Sequence, residues 1–148
     1  MKIIATNKRA SYDYDISLKL DAGLVLTGSE VKSLRNNSSS IKESYVEAKD
    51  SALWLCNCFI KKYESSSQKD ISPTRQRKLL VNKKEFNKIL GSVRKDGFSI
   101  IPIKMYFNDS GLVKLNIGLG KGKKKYDKRE SKKLKDWNKN KQRLLKNN

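Results

Sequence analysis

Alternating apolar and polar residues predict a series of short β-strands along the first 120 residues of the chain. Every second residue is apolar in the run 12–20, and the same period of two returns in the run 113–119. This period is typical of a strand with one buried face. Residues suited to tight turns follow the first run at 21–23 and precede the second at 108–111. Shorter strands are predicted at 24–26, 45–48 and 79–81.

Two longer apolar runs, 52–63 and 98–107, predict further strands. Pro102 interrupts the second run, and because proline has no backbone N–H to give to a sheet, we expect an edge position or a bulge there. In the last strand, glycines alternate with the apolar residues, at Gly118, Gly120 and Gly122. Because glycine has no side chain, another backbone can approach closely on that side of the strand.

Two helices are predicted between the strands. The first opens near residue 28, with Ser29 as its N-cap. The second begins after Asn82, a suitable N-cap, and ends at Gly97; its apolar residues follow helical spacing, at Phe86, Ile89, Leu90 and Val93. Short antiparallel strands with small peripheral helices predict a mainly β fold of the α+β class, arranged as a compact, closed β-barrel.

The basic residues are concentrated at the C-terminus. The chain of 148 residues has a net charge of +19, and residues 121–146 alone hold thirteen lysines or arginines against three acids. Like charges repel one another, so this segment needs a polyanion to order it, and nucleic acid is the abundant polyanion of a cell. The chain length fits one domain followed by a basic tail.

The tail also contains apolar residues that solubility does not require: Leu134, Trp137, Leu144 and Leu145. Their roughly helical spacing predicts a weak apolar stripe surrounded by cations. Three interpretations stay open from these residues alone. The tail is a solvated segment that aids solubility, a helix on a membrane surface, or a segment that folds on RNA.

Several classes of function are disfavoured by composition. The chain has no histidine, which removes the usual general base near neutral pH and the Ser-His and Cys-His nucleophile pairs. It has no Walker loop, GxSxG motif or paired-carboxylate motif either. We therefore expect no enzyme, no cofactor and no metal. Cys56 and Cys58 cannot complete a zinc site without further ligands, so we interpret them as small core residues.

The sequence also gives an expectation for the compartment. It has no run of about 18 apolar residues that would predict a membrane span. Its N-terminus has no apolar stretch typical of a secretion signal. We therefore expect a cytoplasmic protein.

Two segments are candidates for phosphate contact. Residues 120–125 join two glycines to four lysines after a strand, and glycine lets the backbone approach a phosphate that lysine neutralises. Arg75, Arg77 and Lys78 lie in a predicted loop, where arginine can bind phosphate through two N–H groups. An exposed hinge and a solvated loop are the plain alternatives. Glu30 falls in the first turn of a predicted helix, where a carboxylate complements the helix dipole.

Taken together, these motifs resemble those of the SsrA-binding protein family, also called small protein B. The matching segments lie at residues 7–10, 12–14, 26–35, 75–80, 118–124, 126–130 and 143–146. Three departures are visible. Ser29 stands where the family usually has threonine, Asn82 stands where it has histidine, and two leucines replace an Ile-Met pair in the last segment.

The resemblance implies an antiparallel barrel similar to the oligonucleotide-binding fold, over residues 1–126. This domain would hold the tRNA-like end of transfer-messenger RNA (tmRNA, also called SsrA) without catalysing a reaction. The residues expected to bind RNA are Asn7, Lys8, Arg9, Glu30, Lys32, Arg35, Arg75, Arg77, Lys78, Lys121, Lys123, Lys124 and Lys125.

The resemblance also implies a role in trans-translation. The protein–RNA complex would imitate a tRNA and enter stalled ribosomes with elongation factor Tu, which binds the charged RNA, so that the incomplete peptide is tagged for degradation. The tail, residues 127–148, would be disordered in the free monomer and helical in the empty mRNA channel beyond the decoding centre. The residues expected to bind the ribosome are Tyr126, Asp127, Lys128, Arg129, Trp137, Arg143, Leu144, Leu145 and Lys146.

Two other functions remain compatible with parts of this pattern. A structural RNA-binding protein, such as a small ribosomal protein with a basic tail, would have a similar composition. A metal-dependent nuclease would need clustered acids to hold magnesium, and the sequence has no visible cluster of that kind.

Overall fold

The computed structural model describes residues 1–36, 39–63 and 71–123. In chain order its elements are β1 (Lys2–Thr6), α1 (Ala10–Asp13), β2 (Tyr14–Leu24), α2 (Gly28–Asn36), β3 (Tyr45–Lys49), β4 (Ala52–Cys56), β5 (Arg77–Leu80), α3 (Lys83–Asp96), β6 (Ser99–Phe107) and β7 (Val113–Gly122). Strands dominate and the helices are few, which confirms the predicted mainly β class.

The seven strands form one antiparallel sheet in the order β1-β6-β7-β2-β5-β4-β3. Within the described residues, the edge strands β1 and β3 form no ladder with each other. The sheet is therefore open, and the prediction of a closed barrel is wrong.

The edge of β6 explains why the sheet stays open. β1 pairs only with the C-terminal half of β6, so the other half has a free side near β3. There Pro102 has no N–H to donate, and Asn7 already uses two carbonyls. Its side-chain Nδ2 donates to Pro102 O at 3.1 Å, and its backbone N donates to Ile103 O at 2.7 Å. A cleft of about 290 Å³ lies here instead of a ladder, lined by Tyr45 of β3 and by Pro102.

The pairing of β2 with β7 forms the longest ladder, from Tyr14 opposite Gly122 to Gly23 opposite Lys114. β2 therefore continues through residues 21–23, and the turn predicted there is wrong because pairing with β7 outweighs local turn preference. β1 and α1 had no predicted counterpart. With five and four residues, they are too short to establish a period.

The apolar alternation of the last strand is confirmed, because all four apolar residues of that pattern are buried: Val113, Leu115, Ile117 and Leu119. They belong to one core cluster with side chains from other elements, among them Leu53, Leu55, Leu79, Ile89 and Met105. The core thus joins α3 to both halves of the sheet.

The glycines of β7 confirm the predicted close approach at one position. A Cβ atom on Gly120 would lie only 2.3 Å from the backbone oxygen of Asp15 in β2. Gly122 has open space around it, so the prediction does not hold there. The irregularity predicted at Pro102 is also confirmed, since the register of β6 against β7 shifts between Pro102 and Lys104.

The second predicted helix is confirmed as α3, with both of its end signals. Asn82 Oδ1 accepts a hydrogen bond from Glu85 N at 2.7 Å, and Glu85 Oε1 accepts one from Asn82 N at 3.2 Å. This reciprocal pair is a capping box. Gly97 ends the helix with φ 66°, a left-handed conformation that glycine adopts without strain.

The strand predicted over residues 52–63 is shorter than expected. It ends at Cys56 because Asn57 has φ 58°, which breaks the extended backbone. Cys56 and Cys58 are both buried free thiols, in agreement with their interpretation as core residues. Burial raises the pKa of Cys58 to about 11, so this thiol stays protonated at neutral pH.

Replacing Gly120 by alanine is expected to destabilise the protein by about 1–3 kcal/mol or more, because the new methyl group would overlap the Asp15 carbonyl. Gly122→Ala is the matched control and should be nearly neutral, since nothing lies within 4 Å of the position that its methyl group would take. Urea unfolding measures both free energies. Equal stabilities for the two variants would contradict the close approach of β2 and β7.

Candidate nucleic-acid interface

The side chain of Glu30 helps to cap the N-terminal end of α2. Thr27 N donates to Glu30 Oε1 at 2.9 Å, and Glu30 N donates to Thr27 Oγ1 at 3.2 Å. This capping box makes Thr27 the N-cap, so the prediction of Ser29 in that role is wrong. The hydroxyl of Ser29 instead lies 3.1 Å from that of Thr27.

Two arginines bind the same buried carboxylate. Arg75 Nη2 lies 2.5 Å from Glu30 Oε1, and Arg75 Nε lies 3.2 Å from Oε2. Arg77 Nε donates to Glu30 Oε2 at 2.6 Å. Nη1 and Nη2 of Arg77 donate to the carbonyls of Cys58 and Pro73, at 2.6 and 3.0 Å. The cluster therefore joins α2 to the segment after β4 and to the start of β5.

The cluster keeps its charges at neutral pH. Burial by itself would raise the pKa of Glu30, but hydrogen bonds from Arg75, from the Thr27 backbone and from Arg77 hold it below its ordinary value. One carboxylate with two guanidinium groups leaves one net positive charge. That charge reaches the surface through Arg75, whose side chain is 31% exposed, whereas the side chain of Arg77 is 0% exposed.

Burial separates the predicted RNA-binding residues of this region into two groups. Glu30 and Arg77 are inside the protein, where their side chains bind each other and present nothing to a ligand. Arg77 lies in β5 and not in the loop that the sequence predicted. Lys78 is exposed in the same strand, opposite Trp54 of β4.

A group of cations lies on α2 and on the segments that are hydrogen-bonded to it. We call it the α2 surface and define it by Lys32, Arg35, Lys61, Lys62 and Arg75, all of them at least partly exposed. Two contacts hold its parts together. Ser33 Oγ of α2 donates to the Lys61 carbonyl at 2.5 Å, and Lys32 Nζ lies 5.9 Å from the ring centre of Tyr63.

Sequence reasoning missed Lys61 and Lys62 as candidate residues. Two consecutive lysines directly after an apolar strand were a usable signal, but the predicted strand ran through them to residue 63. The early end of β4 places both side chains on the surface beside α2.

A second group of cations lies where β7 ends beside α1. We call it the N-terminal surface and define it by Lys8, Arg9, Lys121 and Lys123. Arg9 lies 5.4 Å from the ring centre of Tyr12, and its Nε is 3.6 Å from Asp13 Oδ2. Lys123 N donates to the Asp13 carbonyl at 2.8 Å, which joins the end of β7 to α1.

Asn7, also a predicted RNA-binding residue, positions the N-terminal surface. Its backbone and side-chain N–H groups both bind β6. This anchors the chain directly before Lys8 and Arg9.

The two surfaces lie at opposite ends of one strand. β2 begins beside the N-terminal surface at Tyr14 and ends at Leu24, shortly before α2. A strand of 11 residues spans roughly 35 Å. The ladder of β2 with β7 therefore connects the two cationic surfaces.

Two other kinds of site are not found in the part of the chain that the structure describes. Among those residues, no group of three or more His, Cys, Asp or Glu side chains could hold a metal ion. No helix within them is long and apolar enough to cross a membrane.

Comparison with known proteins identifies the family. A family model described as SmpB protein matches residues 4–147. The chain belongs to the SmpB family. A relative called SsrA-binding protein from Ehrlichia canis (strain Jake) is 49% identical over 148 residues, which covers 100% of both chains. Another of that name, from Jannaschia sp. (strain CCS1), is 49% identical over 99% of this chain and 93% of its own length.

A solved structure supports the same membership of the SmpB family. It is described as "tmRNA-SmpB: a journey to the center of the bacterial ribosome". The matched chain is 39% identical, covers 84% of this chain and 91% of its own length, and superposes with a TM-score of 0.65. The resemblance inferred from motifs is thus confirmed.

The other predicted contact residues of this SmpB-family chain lie outside the described residues: Lys124, Lys125, Tyr126, Asp127, Lys128, Arg129, Trp137, Arg143, Leu144, Leu145 and Lys146. The predicted domain boundary at residue 126 lies there too. Asn82, one of the three departures from the family's motifs, caps α3 as the sequence predicted.

Replacing Glu30 by glutamine is expected to lower the free energy of unfolding by about 3 kcal/mol at neutral pH, because Arg77 would be left buried without its carboxylate. Folding lowers the pKa of Glu30, so its contribution is complete above its ordinary pKa of 4.5 and is lost as the pH falls through the lower folded value. The stability difference between the wild-type protein and Glu30→Gln should therefore shrink below pH 4.5.

Urea unfolding over a pH series measures this difference. Glu43→Gln is the control, because Glu43 is exposed and forms no ion pair within the described ranges. It should change stability by less than about 0.5 kcal/mol. A Glu30→Gln deficit that stays constant into acid would show that the lost interaction is not the ion pair.

Proposed function

We propose that this protein binds transfer-messenger RNA and carries it to stalled ribosomes for trans-translation. The observation that carries this proposal is the match along the whole chain to relatives called SsrA-binding protein, at 49% identity. The structural neighbour, described as tmRNA-SmpB in the bacterial ribosome, supports the same RNA and the same ribosomal destination.

The two cationic surfaces are suited to a folded RNA. Proteins recognise RNA helices mainly by shape and by contacts to phosphates and 2′-hydroxyls, because the narrow major groove hides the bases. In this proposal the α2 surface and the N-terminal surface bind two separate stretches of RNA backbone. The ladder between β2 and β7 fixes their separation, so an RNA of the wrong shape would reach only one of them.

Arg75 is the residue of the α2 surface whose position is best defined. Glu30 holds its guanidinium through two hydrogen bonds, so little side-chain freedom remains to be lost on binding. The proposed role of Glu30 and Arg77 is therefore to position Arg75. The phosphate contacts come from Arg75 and from the other cations of the α2 surface.

The basic tail has a separate proposed role on the ribosome. Residues 127–148 carry cations together with Trp137, Leu144 and Leu145, a composition suited to a path lined by ribosomal RNA. We place it in the empty mRNA channel beyond the decoding centre. There it would report that no mRNA is present.

The proposed mechanism is binding and mimicry, and this chain makes or breaks no covalent bond. It acts as a monomer, and elongation factor Tu joins through the charged RNA. The family name supports an RNA-binding role, and no residue described here is assigned a catalytic one.

A filter-binding competition tests the RNA partner. Labelled tmRNA is challenged with excess bulk tRNA and with an unrelated structured RNA, for the full chain and for a chain ending at Tyr126. Both proteins should prefer tmRNA by about 100-fold or more, which corresponds to roughly 2.7 kcal/mol. Unselective binding, or a preference that disappears with the tail, would favour a generic structural RNA-binding protein instead.

Replacing Leu144 and Leu145 by alanine tests the role of the tail. Affinity for tmRNA should stay within about threefold, whereas tagging of a peptide on a stalled ribosome should fall at least tenfold, because two proposed contact side chains are lost. Asn147→Ala is the control and should change neither quantity. A double variant that tags normally would remove the tail from the mechanism.

A further inference from the structure

The outer face of α3 has features that the fold does not require. The apolar residues of this helix lie on one side, and three of them pack in or against the core: Phe86, Ile89 and Val93. At helical spacing, the opposite side presents Lys84, Lys88, Gly91 and Lys95 in one stripe. We call this stripe the α3 outer face.

The cations in the first half of α3, Lys83, Lys84 and Lys88, contribute little to the stability of the helix. The helix carries five lysines and arginines against two acids. None of the five forms an ion pair with a residue in the ranges that the structure describes. Lys83 and Lys84 lie at the N-terminus of the helix, where a positive charge opposes the dipole, and Lys84 and Lys88 repel each other at a spacing of four.

Gly91 is the second unexplained feature. Glycine inside a helix is less stable than alanine, because it loses more backbone freedom on folding. A Cβ atom on Gly91 would meet nothing within 4 Å, so no described neighbour in this chain demands the glycine. Gly91 leaves bare backbone in the middle of a row of lysines, where a partner can approach closely.

We propose that the α3 outer face is a further RNA-binding surface, which contacts the sugar-phosphate backbone of the same tmRNA. This inference rests on the proposed function. The lysines would neutralise successive phosphates, and the bare backbone at Gly91 would let the RNA strand approach between them. From Lys84 to Lys95 the helix spans roughly 16 Å, enough for several phosphates.

The position of α3 in the fold supports one continuous RNA path. The helix ends at Gly97, and the ring of the next residue, Phe98, lies 5.5 Å from Lys121 Nζ. Lys121 belongs to the N-terminal surface. A strand bound there can therefore continue onto α3. An anionic membrane fits less well, because membrane-surface helices need an exposed apolar face and that face of α3 packs on the core.

Gly91→Ala in the full-length chain is the sharpest test, because the proposal predicts opposite changes in two measurements. The melting temperature should rise by about 2–4 °C, as expected when a helix gains alanine in place of glycine. Affinity for tmRNA should fall about fivefold or more, because the methyl group keeps the strand away. A variant that is more stable and binds tmRNA as the wild-type protein does would refute the close approach.

A charge-matched pair of variants tests the lysines. The α3 variant carries Lys84→Gln, Lys88→Gln and Lys95→Gln. The control carries the same change at three exposed lysines on the strands, Lys2, Lys19 and Lys49. The α3 variant should bind tmRNA at least tenfold more weakly than the control, and the slope of log affinity against log salt should decrease by about two.

The outcomes separate this inference from the proposed function. If the wild-type protein prefers tmRNA and the two triple variants bind it equally, RNA binding by the α3 outer face is refuted and the proposed function stands. If the wild-type protein shows no preference, both fail. If the α3 variant binds tmRNA normally but loses affinity for ribosomes, the face contacts ribosomal RNA and our assignment to tmRNA is wrong.

Discussion

The ion pair between Glu30 and Arg77 constrains the arrangement of everything around it. Removing two charges from water is costly, and the cost is recovered only when every polar atom finds a partner. Here each guanidinium nitrogen of Arg77 donates to an acceptor from a different part of the chain, namely Glu30, Cys58 and Pro73. These hydrogen bonds hold α2, the segment after β4 and the start of β5 in one geometry. That geometry determines where the surface cations lie.

The open edge of the sheet is the second constraint. A closed barrel would have paired β3 with the free half of β6. Pro102 cannot donate there, and Asn7 already binds the carbonyls of Pro102 and Ile103. The same two hydrogen bonds anchor the chain before Lys8 and Arg9. One local arrangement therefore both keeps the sheet open and positions a cationic surface at the beginning of β2.

Buried and exposed charged residues have different roles in this molecule. Arg75 and Arg77 are two residues apart and bind one carboxylate, yet one reaches solvent and the other does not. The buried arginine stabilises the fold, and the exposed one gives the α2 surface a charge in a defined position. Along α3, by contrast, the lysines have no such partners among the described residues, and the helix keeps a glycine that its own packing does not need. Residues that lower stability and that packing does not explain are expected on surfaces that bind a partner.

Short-range patterns in the sequence by themselves determined much of this protein. The spacing of Phe86, Ile89, Leu90 and Val93 predicted α3, the alternation in β7 predicted its buried face, and the order of the motifs identified the family. The helical spacing, the alternation and each single motif depend on neighbours within a few residues, so they can be read without knowing the fold. β1 and α1 were not predicted, because each is too short to show a period in the sequence. Local preference also led to two wrong predictions, Ser29 as a helix cap and residues 21–23 as a turn.

Only the tertiary structure decided which strands stay unpaired and which charges are buried. Whether the sheet closes depends on Asn7 meeting Pro102 across 95 positions of sequence. The burial of Arg77 depends on Glu30, 47 positions away. No local pattern encodes such partners, because a buried arginine and an exposed one have the same side chain and differ only in what the folded chain brings to them.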